Sequence, residues 1–273
     1  MWERLVSIDR KWIFLAIGLA VALPFLFSWA ISPGPIDPRA RNLYDYLEQA
    51  RPGDAIIIAV DYGPSSMPEL HPMATALVRH ALGKDLRVLL MTLNPQGSLL
   101  ADDVLEAVGA ELPEKRYGKD YVNLGYKPGG YLVVLGMGDS IPKTFGTDAT
   151  GKPMADLPIM KGIRNFRDTH LVVSLAGSNV VFTWIIFGHE KFDQAVAAGV
   201  TAVLTADIYP YLDTGQLVGA LNGLKGAADY EMLIDRPDRA ALGMTSQTVA
   251  HVLIIFFILL GNVGYFATRG RRR

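Results

Sequence analysis

Cysteine is absent from all 273 residues. That excludes disulfides, thiolate catalysis and cysteine-ligated zinc or iron–sulfur centres. It leaves the compartment open, because a protein on either side of a membrane can do without cysteine. A surplus of charge is also missing: 26 Lys and Arg stand against 27 Asp and Glu, a formal net charge of −1. A nucleic-acid binder would show a clear basic excess, so nucleic acid is not an expected partner. No Gly-x-Ser-x-Gly elbow, His-Glu-x-x-His or Gly-Lys-Ser/Thr phosphate loop occurs. Internal repeats and low-complexity tracts are lacking too.

Hydrophobic residues are plentiful, half of the chain, and unevenly placed. Residues 248–267 carry no formal charge and are long enough to cross a bilayer as a helix. Arg269, Arg271, Arg272 and Arg273 follow at once. A second apolar run covers 12–31, preceded by Arg4, Arg10 and Lys11, with Trp12 and Trp29 near its two ends and Pro24 inside. A cleaved signal peptide is the rival reading of this run. Its length and the lack of a small-x-small cleavage site favour an uncleaved transmembrane helix, kinked near Pro24. The flank proposed as outside carries only Arg39, Arg41, Arg236 and Arg239. Positive-inside bias then places both termini in the cytoplasm of a two-pass protein of the plasma (inner) membrane. The resulting organisation is a cytoplasmic N-terminus (1–11), a transmembrane helix (12–31), a linker (32–39), an extracytoplasmic domain (40–243), a second transmembrane helix (248–267) and a basic tail (268–273).

Within the domain, 40–50 reads as a short amphipathic helix with Leu43, Tyr46 and Leu47 at helical spacing. Short apolar runs at 55–60, 87–93, 131–135, 171–175 and 201–205 read as buried strands. Helices are expected at 68–82, 98–112, 190–198 and 211–233. The segments 114–130 and 136–167 read as long loops. This alternation predicts an α/β fold with a doubly wound, mostly parallel, Rossmann-like sheet, flanked by the two transmembrane helices.

Ligands of such sheets bind at the carboxyl ends of the strands. Those ends carry Asp61, Tyr62 and Gly63; Asn94, Pro95 and Gln96; Gly136, Gly138 and Asp139; Ala176, Gly177 and Ser178; and Asp207. Asp61, Asp139 and Asp207, with Ser65 and Ser140, are the candidate polar or metal-ligand groups. The plainer reading is that such residues end strands and cap helices. Gly136-Met137-Gly138 lacks the third glycine of a dinucleotide loop, since position 141 is Ile. No cofactor is expected. Asp61-Tyr62-Gly63-Pro64-Ser65 partly resembles the Asp-x-Ser-x-Ser metal-adhesion loop of von Willebrand A domains, with Gly63 in place of the first serine. That resemblance implies a doubly wound sheet and a metal ligand at Asp61. Ser140-Ile141-Pro142-Lys143 has the Ser-x-x-Lys spacing of penicillin-recognising enzymes, without the companion Ser-Asp-Asn and Lys-Thr-Gly motifs. His170, His189 and Glu190 have no nucleophile beside them and suit capping or surface roles.

Gly215, Gly219 and Gly223 recur every four residues within the expected helix 211–233. Each glycine costs a helix interior about 1 kcal/mol. Such a stripe implies close backbone approach, either to the helix's own sheet or to a neighbouring subunit. Asn262 lies inside the second membrane run, flanked by Gly261 and Gly264, and an amide there wants a partner. The expectation is a membrane-anchored structural or interaction subunit of an oligomeric membrane assembly. Its expected partners are the lipid bilayer and further copies of itself or other membrane-protein subunits. The alternative is a ligand- or metal-binding domain, or a hydrolase, using the strand-end crevice.

Overall fold

A computed structural model describes residues 9–31 and 34–269, the side chains of 267–269 excepted. Arg4, Ser32, Pro33 and the arginines at 271–273 lie outside the described residues. The chain divides into two compact units, Pro35–Arg236 and the pair of segments Met1–Gly34 and Pro237–Arg273.

The helices in chain order are α1 (Arg10–Leu26), α2 (Pro38–Glu48), α3 (Met67–Gly83), α4 (Gly97–Glu111) and α5 (Tyr131–Phe145). Next comes α6, which is α-helical over Val180–Thr183, π-helical over Trp184–His189 and α-helical again over Glu190–Phe192. Then follow α7 (Thr205–Asp213), α8 (Gly223–Leu233) and α9 (Arg239–Arg269). The strands are β1 (Ala55–Asp61), β2 (Arg87–Thr92), β3 (Tyr121–Tyr126), β4 (Leu171–Ala176), β5 (Val196–Val200) and β6 (Ala220–Asn222). They form one parallel sheet in the order β3-β2-β1-β4-β5-β6. The expected doubly wound α/β sheet is therefore present, and its strand order reverses between β1 and β4.

The continuous apolar runs follow from burial on both faces. Ile57 pairs in register with Leu89 on one side and Val172 on the other. Ile57, Ala59, Met91, Val172 and Ala198 enter one core with Val134, Met137, Ile141, Trp184 and Ile208. Thus α5, α6 and α7 contribute to one face of the sheet.

Three elements differ from the sequence expectation. Residues 131–135, expected as a strand, are the first turns of α5, which runs on to Phe145 through the first part of the expected loop 136–167; the strand is β3, inside the polar segment 114–130. Tyr-Val-Asn-Leu-Gly-Tyr buries only its middle, as an edge strand does. Its one buried amide is satisfied, because Asn123 Nδ2 donates to Asp102 Oδ1 at 2.7 Å. The fifth strand is Val196–Val200, not 201–205, and the helix expected at 190–198 is instead α6, which starts at Val180 and stops at Phe192, where Asp193 adopts φ 54°. Val-Ala-Ala-Gly-Val looks helical by alanine content, but the sheet selects small residues here: a Cβ on Gly199 would strike the Leu175 side chain.

Third, the long helix 211–233 does not exist as one element. It is the end of α7, a turn at Gly215 (φ +79°), β6, and then α8 starting at Gly223 (φ +58°). The four-residue glycine spacing is not a helical stripe, so it gives no intersubunit contact by that logic.

In the other unit, α1 packs against α9. Ser246 Oγ donates to the Val21 carbonyl at 3.0 Å, and the Ile31 N–H donates to Thr245 Oγ1 at 2.9 Å. Ala20 and Pro24 are the buried residues of α1. Around this seam the large apolar side chains face outward, among them Phe14, Leu15, Ile255 and Phe256. Among the described residues one helix is long and apolar enough to cross a membrane: the 28 residues Arg239–Phe266, with a mean hydropathy of 2.2 over the most apolar window. Described α1 has 17 residues, about 25 Å of helix against roughly 30 Å of hydrocarbon. The expected pair of transmembrane helices thus reduces to one that meets the length.

Candidate functional site

The switch point between β1 and β4 is where an open parallel sheet offers a crevice. Asp61 ends β1 there and is 1% exposed. Its Oδ1 accepts from the Leu93 N–H at 2.6 Å and from Thr92 Oγ1 at 3.4 Å, and its Oδ2 accepts from Trp184 Nε1 at 2.9 Å. Burial pushes the carboxyl up to about 6, against the opposing pull of the Leu93, Trp184 and Thr92 donors. The π-helical turn of α6 delivers the Trp184 indole to this spot. Asp61 therefore straps β1, the segment after β2 and α6 together, with a donor on each carboxylate oxygen.

The loops above it interlock. A Cβ on Gly63 would meet the Gln96 amide, and one on Gly177 would meet the Ser66 hydroxyl. The next residue joins a second buried group: Tyr62 OH lies 3.1 Å from His71 Nδ1, and His71 Nε2 lies 3.2 Å from Asp103 Oδ2. Burial, then the Asp103 charge, hold the Tyr62 hydroxyl above its ordinary range. Tyr62 is 1% and His71 6% exposed, so this relay braces α3 against α4. The sequence signal for His71 is its spacing: nine residues beyond the strand-end Tyr62, it sits one loop and one helical turn away.

The other expected site residues are dispersed. Asp139 lies exposed in α5 and Asp207 exposed in the first turn of α7, neither at the end of a strand. Ser65 is exposed in the loop after β1. Ser140 leaves helical geometry (φ −160°, ψ 109°), and its Oγ accepts from the Lys143 backbone N–H at 3.4 Å. The Ser-x-x-Lys spacing is thus a cap where α5 restarts, not a nucleophile beside its base. A Cβ on Gly138 would run into the Phe192 ring, which explains that glycine by packing. Among the described residues no group of three or more His, Asp or Glu could hold a metal ion. His170 Nε2 lies 3.1 Å from the Tyr46 carbonyl and His189 Nδ1 3.1 Å from the Gln194 carbonyl.

Two further polar features were not anticipated. A cleft of about 400 Å³ opens at the end of β3, lined by Ser98, Tyr126, Lys127, Thr147 and Asp148. Burial opposes ionisation of Asp148, but donors from Thr150, Lys152 and Tyr117 outweigh it and hold the carboxyl below the usual range. At the carboxyl end of β6, both amide atoms of Asn222 are buried without a hydrogen-bond partner among the described residues.

Away from these, His80 Nδ1 meets Tyr230 OH at 2.8 Å and His80 Nε2 meets Glu48 Oε1 at 2.7 Å, while Lys84 Nζ reaches Glu48 Oε2 at 2.9 Å. Burial holds His80 below its ordinary value despite Glu48. A depressed histidine gives stability that is present above the unfolded value near 6.5 and is lost as pH falls below it. The wild type should lose more stability to urea than His80→Gln as pH falls below 6.5. Parallel curves for the two proteins would refute this.

No protein-family model matches the chain, and no curated protein matches it. Among solved structures, a similar chain is a trehalose-6-phosphate synthase, OtsA, at 14% identity and a TM-score of 0.29. The match covers 84% of this chain and 47% of that one. The chain thus spans about half the length of that protein, and so loose a likeness carries no argument.

Proposed function

We propose that this chain is a membrane-anchored interaction subunit: α9, with α1 beside it, sits in the lipid bilayer and holds the α/β domain at the extracytoplasmic surface of a plasma (inner) membrane. The domain works by contact rather than by catalysis. The observation that carries this reading is the apolar helix Arg239–Phe266, whose large side chains Ile254, Ile255, Phe256, Ile258 and Leu259 are all at least 40% exposed. A soluble protein would bury such a helix; hydrocarbon solvates it. Support also comes from Asp61, Tyr62 and His71, which spend polar atoms inside the domain, His71 reaching outward to the exposed Asp103. Both termini are assigned to the cytoplasm by the arginines that flank the apolar runs.

A second reading, a polar-ligand domain, is favoured by the buried unpartnered amide of Asn222 and by the cleft beside Lys127. The absence of cysteine makes the test of topology clean. A Ser65→Cys variant in intact cells should be labelled by a membrane-impermeant maleimide and should stay in the pellet after alkaline carbonate. Labelling only after permeabilisation would reverse the topology, and extraction by carbonate would refute the anchor.

A further inference from the structure

We propose that α9 pairs in parallel with α9 of a second copy of this chain, along the face that carries His251, Ile255, Ile258 and Asn262. This rests on the membrane reading above and names the partner.

The spacing of four, three and four residues puts these positions on one stripe of a helix. All four side chains are exposed, Ile255 and Ile258 at 56% each. The seam with α1 uses a different face: Ser246, Ala250, Leu253, Phe257, Leu260 and Gly264 are buried or half-buried. The stripe is therefore left open by the only helix that covers α9 among the described residues.

Its ends are polar, and hydrocarbon cannot satisfy them. Taking 248–267 as the apolar core, Asn262 sits about 7 Å and His251 about 10 Å from its middle. Both depths lie inside the roughly 15 Å half-thickness of the hydrocarbon. Whatever satisfies these groups must offer polar atoms at both depths. A second copy does so by symmetry. Copies of one chain share a topology, so α9 meets α9 in parallel and each residue meets itself at its own depth. A side-chain amide both donates and accepts, and so does a neutral imidazole, so each is complementary to its own copy. Ile255 and Ile258 supply the apolar contact between them. No charged residue lies between Arg239 and Arg269 to oppose the pairing.

The experiment is oxidative cross-linking of the full chain in its native membrane, with cysteines introduced singly into the cysteine-free sequence. Ile258→Cys should form a disulfide-linked dimer, and Leu260→Cys, which faces α1, should not. Adding Asn262→Leu to Ile258→Cys should lower the linked fraction about fivefold, and Asn262→Gln should retain most of it. Equal linking at 258 and 260, or linking at 258 untouched by Asn262→Leu, would overturn the pairing. No linking in membranes that keep the protein through alkaline carbonate overturns the pairing alone. Extraction by carbonate overturns the membrane reading as well.

Discussion

Replacing Gly219 with alanine should destabilise the α/β unit by about 3 kcal/mol or more, measured by urea unfolding of the detergent-solubilised chain. The added Cβ would lie 2.5 Å from the Leu43 backbone nitrogen and 2.8 Å from both Leu43 Cα and the Arg39 carbonyl oxygen. All three atoms belong to the backbone of α2, so no rotamer change relieves the contact. The helix is also pinned. The Asp37 N–H donates to Asp229 Oδ2 at 3.0 Å, and Lys225 Nζ holds Asp229 from 2.5 Å. Asp229 is fully buried while Lys225 stays partly exposed, so shifting α2 disturbs the partners of a buried carboxylate as well as the burial of Leu43 and Leu47. Gly215→Ala is the internal comparison. A Cβ there meets nothing within 4 Å, and only its φ of +79° opposes it, so the cost should be about 1 kcal/mol. If Gly219 served a subunit contact instead, its replacement would change assembly size and leave the unfolding midpoint in place.

Asp61→Ala should cost about 2–4 kcal/mol near pH 4, where the carboxyl makes its full contribution, because two buried donors, the Leu93 N–H and Trp184 Nε1–H, lose their acceptor. The indole emission of Trp184 should shift as its partner disappears. The carboxyl also sets a pH slope. Its folded value, about 6, lies above the ordinary 3.8, so the folded protein holds the proton more tightly. The stability it gives is complete below pH 4 and is lost as pH rises through 6, about 3 kcal/mol in all. His80 acts in the opposite sense below pH 6.5. An Asp61→Asn variant should therefore keep only a rise of stability with pH, while the wild type shows the difference of the two trends. An unchanged pH profile in Asp61→Asn would show that the carboxyl is solvated, and the strap would be wrong.

The sheet was readable where burial on both faces demanded a pure apolar run, as at Ile56, Ile57 and Ile58 or at Val172 and Val173. It was not readable at the edges. In β3 the signal reduces to Val122 and Leu124 among polar neighbours, and in β6 to three residues enclosed by glycines. Tyr-Leu-Val-Val-Leu at 131–135 has the composition of a strand, yet packing against Phe187 and Trp184 places it in α5. The glycine pattern has a related cause: equal spacing suits one helix, whereas Gly215 and Gly223 mark two chain reversals. For the site, Asp61 was found by its place at a strand end, but its partners Trp184 and Leu93 come from distant segments that no local spacing joins. Asp139 and Asp207 follow apolar runs that resemble strands but belong to helical segments.

The most direct measurement of the interaction reading is the protein mass of the detergent-solubilised complex, by light scattering with mass spectrometry of what co-purifies. The account predicts at least two copies of the 29.8 kDa chain, with or without further subunits. A single chain with no companion would contradict it and direct attention to Asn222 and the cleft beside Lys127.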